Sequence, residues 1–278
     1  MHSSPPIVLT IAGFDPSSGA GVTADIKTIA AHGCYGVAVA TGLTVQSGRG
    51  VRHVQPADPE LVANSLEELT ADVKLSAVHI GMLGSGEVAT RVVDFLKSAK
   101  PPNLVLDTVL KSSSGMSLVD ESGAKILAEE LLPLAKVITP NVDEAAILTG
   151  NRVGTLDEMK EAARQLHQMG AQSVVITGGH LERATDLLSY QEGETQTFTA
   201  ERLTSQFTHG TGCAFSTAVA CHLALGRALA EAVLLAKAYV TAAIRSAYAV
   251  GVGRGPINHM YRMKNHPAAL VKKAGERS

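Results

Sequence analysis

Short apolar runs alternate with longer amphipathic stretches along most of this chain, and that alternation constrains the fold more than any other feature. The runs are rich in Val, Ile and Leu and are apolar on both faces: Ile7–Ala12, Val37–Thr41, Ala77–Ile80, Leu104–Leu106, Val137–Thr139 and Val174–Ile176. Strands that are apolar at nearly every position are typical of a parallel sheet covered by helices on both faces. We therefore expect these runs to form the central strands of one sheet.

The stretches between the runs have helical periodicity: Gly21–His32, Leu61–Leu69, Glu87–Leu96, Ala124–Leu131, Asp143–Leu148 and Leu156–Gln168. Two longer helical stretches, Gly212–Leu225 and Leu229–Tyr248, follow on either side of Gly226, and the first is apolar nearly all round, which predicts burial. Strand–helix alternation predicts an α/β fold with a mostly parallel sheet. Since no linker divides the 278 residues, we expect one domain over residues 1–278, with about 265–278 as a flexible tail.

Charge and composition exclude several classes of protein. Lys and Arg number 24 against 26 Asp and Glu, a formal net charge of -2 without a basic stripe, so nucleic-acid binding is not expected. No run reaches the roughly 18–20 apolar residues of a membrane span, and no signal peptide opens the chain. Cys34, Cys213 and Cys221 match no zinc or disulfide framework. These features predict a cytoplasmic protein that binds neither nucleic acid nor membrane.

Glycine and acidic residues follow five of the apolar runs. The segments are Gly13–Gly21, Gly81–Gly84, Asp107–Val109, Pro140–Glu144 and Gly178–His180. In open α/β sheets, ligands bind beyond the carboxyl ends of the strands. The sequence therefore predicts a ligand site at that edge.

The loop Thr208–Cys213 enters the long apolar helix and is the strongest chemical signal. Free N–H groups and the positive end of the dipole make a helix start an anion site, and Gly210 and Gly212 would let a phosphate approach the backbone. In the first turn the dipole favours a thiolate, so we expect a lowered pKa for Cys213. The alternative is an inert, packed cysteine.

Asp107, Asn141 and Glu144 follow two neighbouring runs and could face one crevice. One or two carboxylates are enough to hold Mg²⁺ beside phosphates. Asn141 and Glu144 also have the spacing of a capping box, and the two roles can coexist.

Other familiar sequence motifs are absent. A dinucleotide fingerprint would need a third glycine where Ala24 stands. The histidines lack metal-ligand spacing, and neither a nucleophile elbow nor a Walker A pattern occurs. Asp25 in an apolar helix and Gln46 beyond the second run remain as candidate binding groups.

Seven ordered segments resemble the bacterial hydroxymethylpyrimidine/phosphomethylpyrimidine kinases of the ribokinase superfamily. They are Thr10–Gly21, Ala24–Thr28, Ile80–Leu83, Leu106–Val109, Thr139–Glu144, Thr208–Cys213 and Gly253–His259. The resemblance implies a ribokinase-like fold, a homodimer, and ATP with Mg²⁺. The implied activity is phosphorylation of 4-amino-5-hydroxymethyl-2-methylpyrimidine to the monophosphate and then the diphosphate, in thiamin biosynthesis.

The resemblance also assigns roles to individual residues. The backbone of Gly210, Thr211 and Gly212 would hold the transferring phosphoryl group while Cys213 takes the hydroxymethyl proton. Mg²⁺ would be reached from Asp107 and Glu144. The pyrimidine would lie against Gly13, Ala20, Asp25, Thr44, Gln46, Met82 and Val109, and the nucleotide against Asn141, Thr177, Gly179, Thr208 and Lys237.

Three positions depart from the family's pattern. Thr177 stands where a Lys is common, Phe207 where a polar residue is common, and Thr44 where the pocket is usually apolar. The missing cation at Thr177 keeps open a non-catalytic pyrimidine-binding sensor. A pyridoxal or pyridoxine kinase is the closer alternative, because that ring also carries a hydroxymethyl group beside a heteroaromatic nitrogen.

Overall fold

The central sheet has nine strands in the residues that the computed structural model describes, which are 4–112, 114–179 and 183–263. The strands are β1 Ile7–Phe14, β2 Tyr35–Ser47, β3 Gly50–Pro56, β4 Ala77–Ile80, β5 Leu104–Leu106, β6 Val137–Ile138, β7 Ser173–Ile176, β8 Ala184–Tyr190 and β9 Thr195–Ala200. Their order is β3-β2-β1-β4-β5-β6-β7-β8-β9. The pairs from β2 through β1 and β4 to β7 are parallel, which confirms the predicted mostly parallel sheet.

The helices lie on both faces of this sheet. They are α1 Gly21–Ala31, α2 Pro59–Asp72, α3 Gly86–Ala99, α4 Glu121–Ile126 with a π-helical turn Leu127–Leu131, α5 Leu132–Leu134, α6 Val142–Thr149, α7 Leu156–Gln168, α8 Thr211–Ala224 and α9 Leu229–Arg245. One hydrophobic cluster joins the sheet to α2, α3, α6 and α7, and a second joins it to α1, α8 and α9.

The doubly apolar strands explain this layering. Successive side chains of a strand point to opposite faces. Neighbours in the central strands accordingly enter different clusters, as in the pairs Val8 and Leu9, Ala77 and Val78, Val105 and Leu106, and Val137 and Ile138. The predicted burial of α8 is confirmed, since every residue from 214 to 223 is buried.

Three antiparallel strands were not expected from the sequence. β3 pairs with β2, and β8 and β9 extend the opposite edge beyond β7. β3 and β9 are largely exposed and mix polar with apolar residues, and β8 is mostly buried but carries Thr185, Asp186 and Ser189. A search for doubly apolar runs therefore misses all three. Pairing with β3 also extends β2 beyond the predicted Thr41 to Ser47, which puts Thr44 and Gln46 on a strand.

Further predictions concern the end of α9, the last residues of the chain and membrane-spanning helices. α9 ends at Arg245, three residues before the predicted Tyr248. The predicted tail, residues 265–278, lies outside the described residues. Within the described ranges, no helix has the length and apolar character that crossing a membrane requires.

Candidate active site

The phosphate loop, Thr208–Gly212, enters α8 through a turn that only glycine fits. Gly210 is the N-cap and has φ +82°, and a Cβ on it would lie 1.8 Å from the carbonyl oxygen of Gly19. The N–H of Thr211 donates to the Thr208 carbonyl at 3.3 Å, so this donor is shared with the loop. A helix leaves its first N–H groups without intrahelical partners, and those of Gly212 and Cys213 thus remain for an anion.

Cys213 is half-buried, and its thiol interacts with the carboxylate of Asp107. Burial, with the nearby charges of Asp107 and Asp25, raises the pKa of Cys213 well above its usual value. The expectation of a lowered pKa is therefore wrong for this resting arrangement. The dipole of α8 and a hydrogen bond from the N–H of Gly21 favour the thiolate, but two carboxylates and burial outweigh them.

Asp107 and Glu144 form a buried acidic pair beyond β5 and β6. Burial raises the pKa of Asp107 to about 6, and burial with the charge of Asp107 raises the pKa of Glu144 to about 8. Thr108 donates to Oε2 of Glu144 at 3.3 Å, while Oδ2 of Asp107 is buried without a hydrogen-bond partner. An orphaned carboxylate oxygen beside a second carboxyl group fits a divalent cation.

The capping interpretation of Asn141 and Glu144 is confirmed. Oδ1 of Asn141 accepts from the N–H of Asp143 and of Glu144, both at 2.9 Å, and the N–H of Asn141 donates to Oε2 of Glu144 at 2.9 Å. The box fixes the carboxylate of Glu144 toward Thr108. Within the described residues, no cluster of three or more His, Cys, Asp or Glu side chains is arranged to hold a metal by itself.

Asp25 lies behind the phosphate loop and has no exposed surface. Its carboxylate accepts from the hydroxyls of Thr10 at 2.7 Å and Thr217 at 2.8 Å, and Nδ1 of His79 lies 3.4 Å away. Burial opposes a charge on His79, but the carboxylates of Asp25 and Asp107 raise its pKa. Without a ligand, Asp25 is therefore a buried hydrogen-bond acceptor, and its expected contact with the ring stays a prediction.

An apolar corner brings together the residues expected to hold the flat faces of a ring. Met82 clusters with Val51 and Leu118, and Val109 packs against the same cluster. A Cβ on Gly13 would lie 2.2 Å from Cε of Met82, so glycine alone lets β1 approach this side chain.

The polar side chains that we expect to contact the substrate ring lie close to His209. Nε2 of Gln46 lies 3.2 Å from Nε2 of His209, which lies 2.8 Å from Oδ2 of Asp15. Asp15 also accepts from the N–H of Ala20 at 3.0 Å. The hydroxyl of Thr44 donates to the Phe14 carbonyl at 3.1 Å and lies 3.1 Å from the Gln46 amide.

The candidate nucleotide residues lie mostly beyond β6 and β7. Asn141 and Thr177 form an isolated parallel bridge, and Gly179 is exposed. Lys237 on α9 forms a buried ion pair with Asp186 at 2.7 Å, and Asp186 accepts from the N–H of Gly178 at 3.1 Å. Thr208 is exposed at the start of the phosphate loop. The cation of Lys237 thus lies next to the segment in which Thr177 replaces a Lys.

Sequence reasoning missed four residues that organise the site: Asp15, His79, Asp186 and His209. The histidines were considered only as metal ligands, and on that test their spacing excluded them. Asp15 and His209 both stand inside loops that the sequence singled out, which was the available signal. His79 lies in β4, whose pattern indicates only burial, and Asp186 lies in β8, a strand that the sequence did not predict.

Known proteins resemble this chain over most of its length. The family model for phosphomethylpyrimidine kinase matches residues 15–258. The hydroxymethylpyrimidine/phosphomethylpyrimidine kinase of Rhizobium meliloti is 41% identical over 262 residues, 92% of this chain and 97% of that protein. The thiamine biosynthesis bifunctional protein ThiED of Geobacter sulfurreducens is also 41% identical, over 91% of this chain, which spans only 52% of that longer protein.

A solved structure matches nearly the whole chain. The pyridoxal kinase of Bacillus subtilis, determined as an ADP complex, is 34% identical and superposes with a TM-score of 0.86. The match covers 94% of this chain and 100% of that one.

Proposed function

The chain belongs to the phosphomethylpyrimidine kinase family, and from that premise we propose that it phosphorylates 4-amino-5-hydroxymethyl-2-methylpyrimidine to the monophosphate and then the diphosphate, using ATP. These two steps place it in thiamin biosynthesis. The observation that carries the proposal is the phosphate loop itself, with free N–H groups at the start of α8 beside Cys213 and Asp107.

The phosphate loop supplies the charge stabilisation that phosphoryl transfer needs. Such a reaction depends on positioning and on neutralising charge at the transferring oxygens. The N–H groups of Gly212 and Cys213, with Gly210 at the cap, would face those oxygens at the positive end of α8. Comparable donors in oxyanion sites contribute about 3 kcal/mol each.

Cys213 and Asp107 would act together on the substrate hydroxyl. The thiol of Cys213 is protonated at neutral pH and interacts with the carboxylate of Asp107. As the hydroxymethyl oxygen attacks phosphorus, its proton would pass to the sulfur while the thiol proton passes to the carboxylate of Asp107. The raised pKa of Asp107, about 6, lets it hold that proton briefly and still be ionised at pH 7.

Mg²⁺ would be held from Asp107 and Glu144, whose paired carboxyl groups and orphaned oxygen suit it. When bound, it would neutralise charge on the ATP phosphates. For the nucleotide, Lys237 beside Gly178 would offset the cation absent at Thr177, with Asn141, Gly179 and Thr208 lining the rest.

Incubation with ATP, Mg²⁺ and the pyrimidine tests the proposal directly. Mass spectrometry of the products should show the monophosphate first and the diphosphate later. Tight binding of the pyrimidine without any phosphorylated product would instead indicate a sensor, and it would contradict the proposal.

Pyridoxal kinase is the second candidate, favoured by the structural match to the Bacillus subtilis enzyme over 94% of this chain. Comparing kcat/KM for the pyrimidine and for pyridoxal decides between the two. We expect the pyrimidine to be preferred, because most of the close relatives carry that activity in their names.

The proposal includes the setting in which the enzyme works. From the family resemblance we infer a homodimer in the cytoplasm. Light scattering at micromolar concentration should give about twice the mass of one chain, 28.9 kDa, and a monomer would contradict that part.

A further inference from the structure

We propose that Asp15 and His209 form a positioning pair that fixes the direction of the Gln46 side-chain amide, and that the fixed amide selects a ring whose amino group adjoins a ring nitrogen. The inference rests on the proposed function, because it concerns how the same site chooses its ring.

The contact between Asp15 and His209 connects two loops, and the proposed reaction depends on their relative position. Asp15 follows β1 and accepts from the N–H of Gly19 at 3.2 Å and of Ala20 at 3.0 Å, which closes the loop before α1. His209 belongs to the phosphate loop, and its Nε2 lies 2.8 Å from the Asp15 carboxylate. The side chains are 13% and 3% exposed, so water competes little for this contact.

The ring of His209 cannot turn away from Asp15. A Cβ on Gly19 would lie 2.2 Å from Cδ2 of His209, so the glycine backbone packs directly against the imidazole. The main chain of His209 is held as well, because its N–H donates to the Gly255 carbonyl at 3.2 Å. Both the position and the orientation of the imidazole are therefore fixed.

Hydrogen-bonding rules then determine the direction of Gln46. A carboxylate only accepts, so Nε2 of His209 carries the proton that it gives to Asp15. A protonated Nε2 has no lone pair for an amide N–H, so the Gln46 atom 3.2 Å away must be the carbonyl oxygen. The amide nitrogen then faces Thr44, whose oxygen can accept because its own proton goes to the Phe14 carbonyl.

This arrangement leaves Gln46 with one donor and one acceptor for a ligand. The second N–H can serve a ring nitrogen, and the second lone pair of the carbonyl can serve an adjacent amino group. Gln46 is half-buried, so some of its surface remains for such a ligand. A ring that lacks the amino group would leave the carbonyl oxygen desolvated and unpaired.

Calorimetric binding of two rings tests the pair. The rings are 4-amino-5-hydroxymethyl-2-methylpyrimidine and the same molecule without its amino group. We expect the wild-type protein to bind the amino ring about 100-fold more tightly, the cost of one buried polar group left unpaired. In Asp15→Ala, no carboxylate holds the proton on Nε2 of His209, so the imidazole and the Gln46 amide can take either orientation; the ratio should fall to about threefold or less.

His209→Asn, which removes the imidazole, should reduce the ratio in the same way. Ser17→Ala is the matched control: it removes hydrogen bonds to Asp15 but leaves the His209 contact, so the ratio should stay at the wild-type value. In a Gln46→Ala background, Asp15→Ala should leave the ratio unchanged, because the pair acts through Gln46.

A purely structural role predicts a different pattern. Asp15→Ala would then weaken the binding of both rings equally, with or without Gln46, and that result would overturn the inference. Equal binding of the two rings by the wild-type protein, or no binding of either, would also overturn it. Binding with the expected ratio but without phosphorylation would contradict only the proposed function.

Discussion

Cys213, Asp107 and Glu144 are the residues whose protonation decides what the proposed site can do. Their pKa values are all raised, with burial as the largest cause and neighbouring negative charge adding to it. Perturbed groups of this kind concentrate at functional sites. The sequence identified these three positions. It predicted a lowered pKa for Cys213, whereas the pKa is raised, because the interacting carboxylate of Asp107 is far away in the chain.

Cys213→Ser tests the proton transfer. We expect kcat to fall about 100-fold or more with little change in KM, because a hydroxyl gives and takes protons far less readily than a thiol. Steady-state kinetics measures both constants. Cys221→Ser on the same helix is the control: Cys221 is buried away from the phosphate loop, so its variant should keep kcat. A Cys213→Ser enzyme with wild-type kcat would exclude Cys213 from the proton transfer.

The pH profile tests Asp107. Its carboxylate accepts a proton only when ionised, and its pKa is about 6 before Mg²⁺ binds and lower with the cation beside it. The ratio kcat/KM should therefore fall at acid pH, below about 6. Asp107→Asn should be slower by 100-fold or more and should lose this acid limb. An acid limb that persists in the variant must belong to another group, and the proposed role of Asp107 would then be wrong.

Glu144→Gln tests the cost of the acidic pair to stability. Because the folded-state pKa of Glu144 is raised to about 8, from an ordinary 4.5, the folded chain holds more protons than the unfolded chain between these values. Stability from this group therefore falls as pH rises through that range. We expect Glu144→Gln to have a higher Tm than wild type at pH 8, and the difference should shrink at pH 5.

Asp120→Asn is a control for which we expect the opposite change in Tm at pH 8. Burial works against its charge, but hydrogen bonds from the backbone of Gly123 and Gly86 and from Ser122 lower the pKa of Asp120. Its stabilising contribution is present above its ordinary pKa and is lost as pH falls. At pH 8, Asp120→Asn should lower Tm; a Glu144→Gln variant that behaves likewise would contradict the assigned sign.

Among the elements, the start of α8 depends on contact with the loop before α1. Gly210 has a left-handed backbone and touches the Gly19 carbonyl, whereas a Cβ on Gly212 would have nothing within 4 Å. The sequence predicted both glycines for phosphate approach. In the structure the two positions differ: only Gly210 must be glycine, because its loop packs against the backbone of Gly19.

Gly210→Ala should therefore destabilise the protein, and Gly212→Ala should not. A left-handed alanine costs about 1–2 kcal/mol before the clash with Gly19 is counted, so we expect Tm to fall by several degrees. Gly212→Ala should keep the wild-type Tm, while its methyl group near the expected phosphate position lowers activity. Thermal unfolding and kcat measured on both variants check this contrast, and equal Tm losses would contradict it.

At the scale of the whole molecule, a buried ion pair connects helix α9 to the antiparallel edge of the sheet formed by β8 and β9. Lys237 on α9 meets Asp186 on β8, and burial raises the pKa of Asp186 although the lysine opposes that effect. A buried pair adds little net stability, but removal of one partner leaves an uncompensated charge. The pair therefore constrains how the edge strands and α9 fit together.

Lys237→Met should destabilise the protein by about 3–5 kcal/mol, and the double variant Lys237→Met with Asp186→Asn should recover much of that loss. Denaturant unfolding measures both. If Lys237 also serves the nucleotide, the double variant will keep a raised KM for ATP despite its recovered stability. Full recovery of that KM would limit Lys237 to a structural role.

The sequence by itself determined the parallel core of the sheet, the buried helix α8 and the phosphate loop, because apolar periodicity and glycine spacing are local signals that do not depend on distant partners. It also placed Met82, Val109 and Gln46 near the carboxyl ends of strands, where the structure has them. Tertiary structure alone decided the half-polar edge strands, the burial of Asp25, and the contacts of Asp15 with His209 and of Cys213 with Asp107. In each case the property depends on a charge or hydrogen bond from a residue remote in the chain, which no local pattern records.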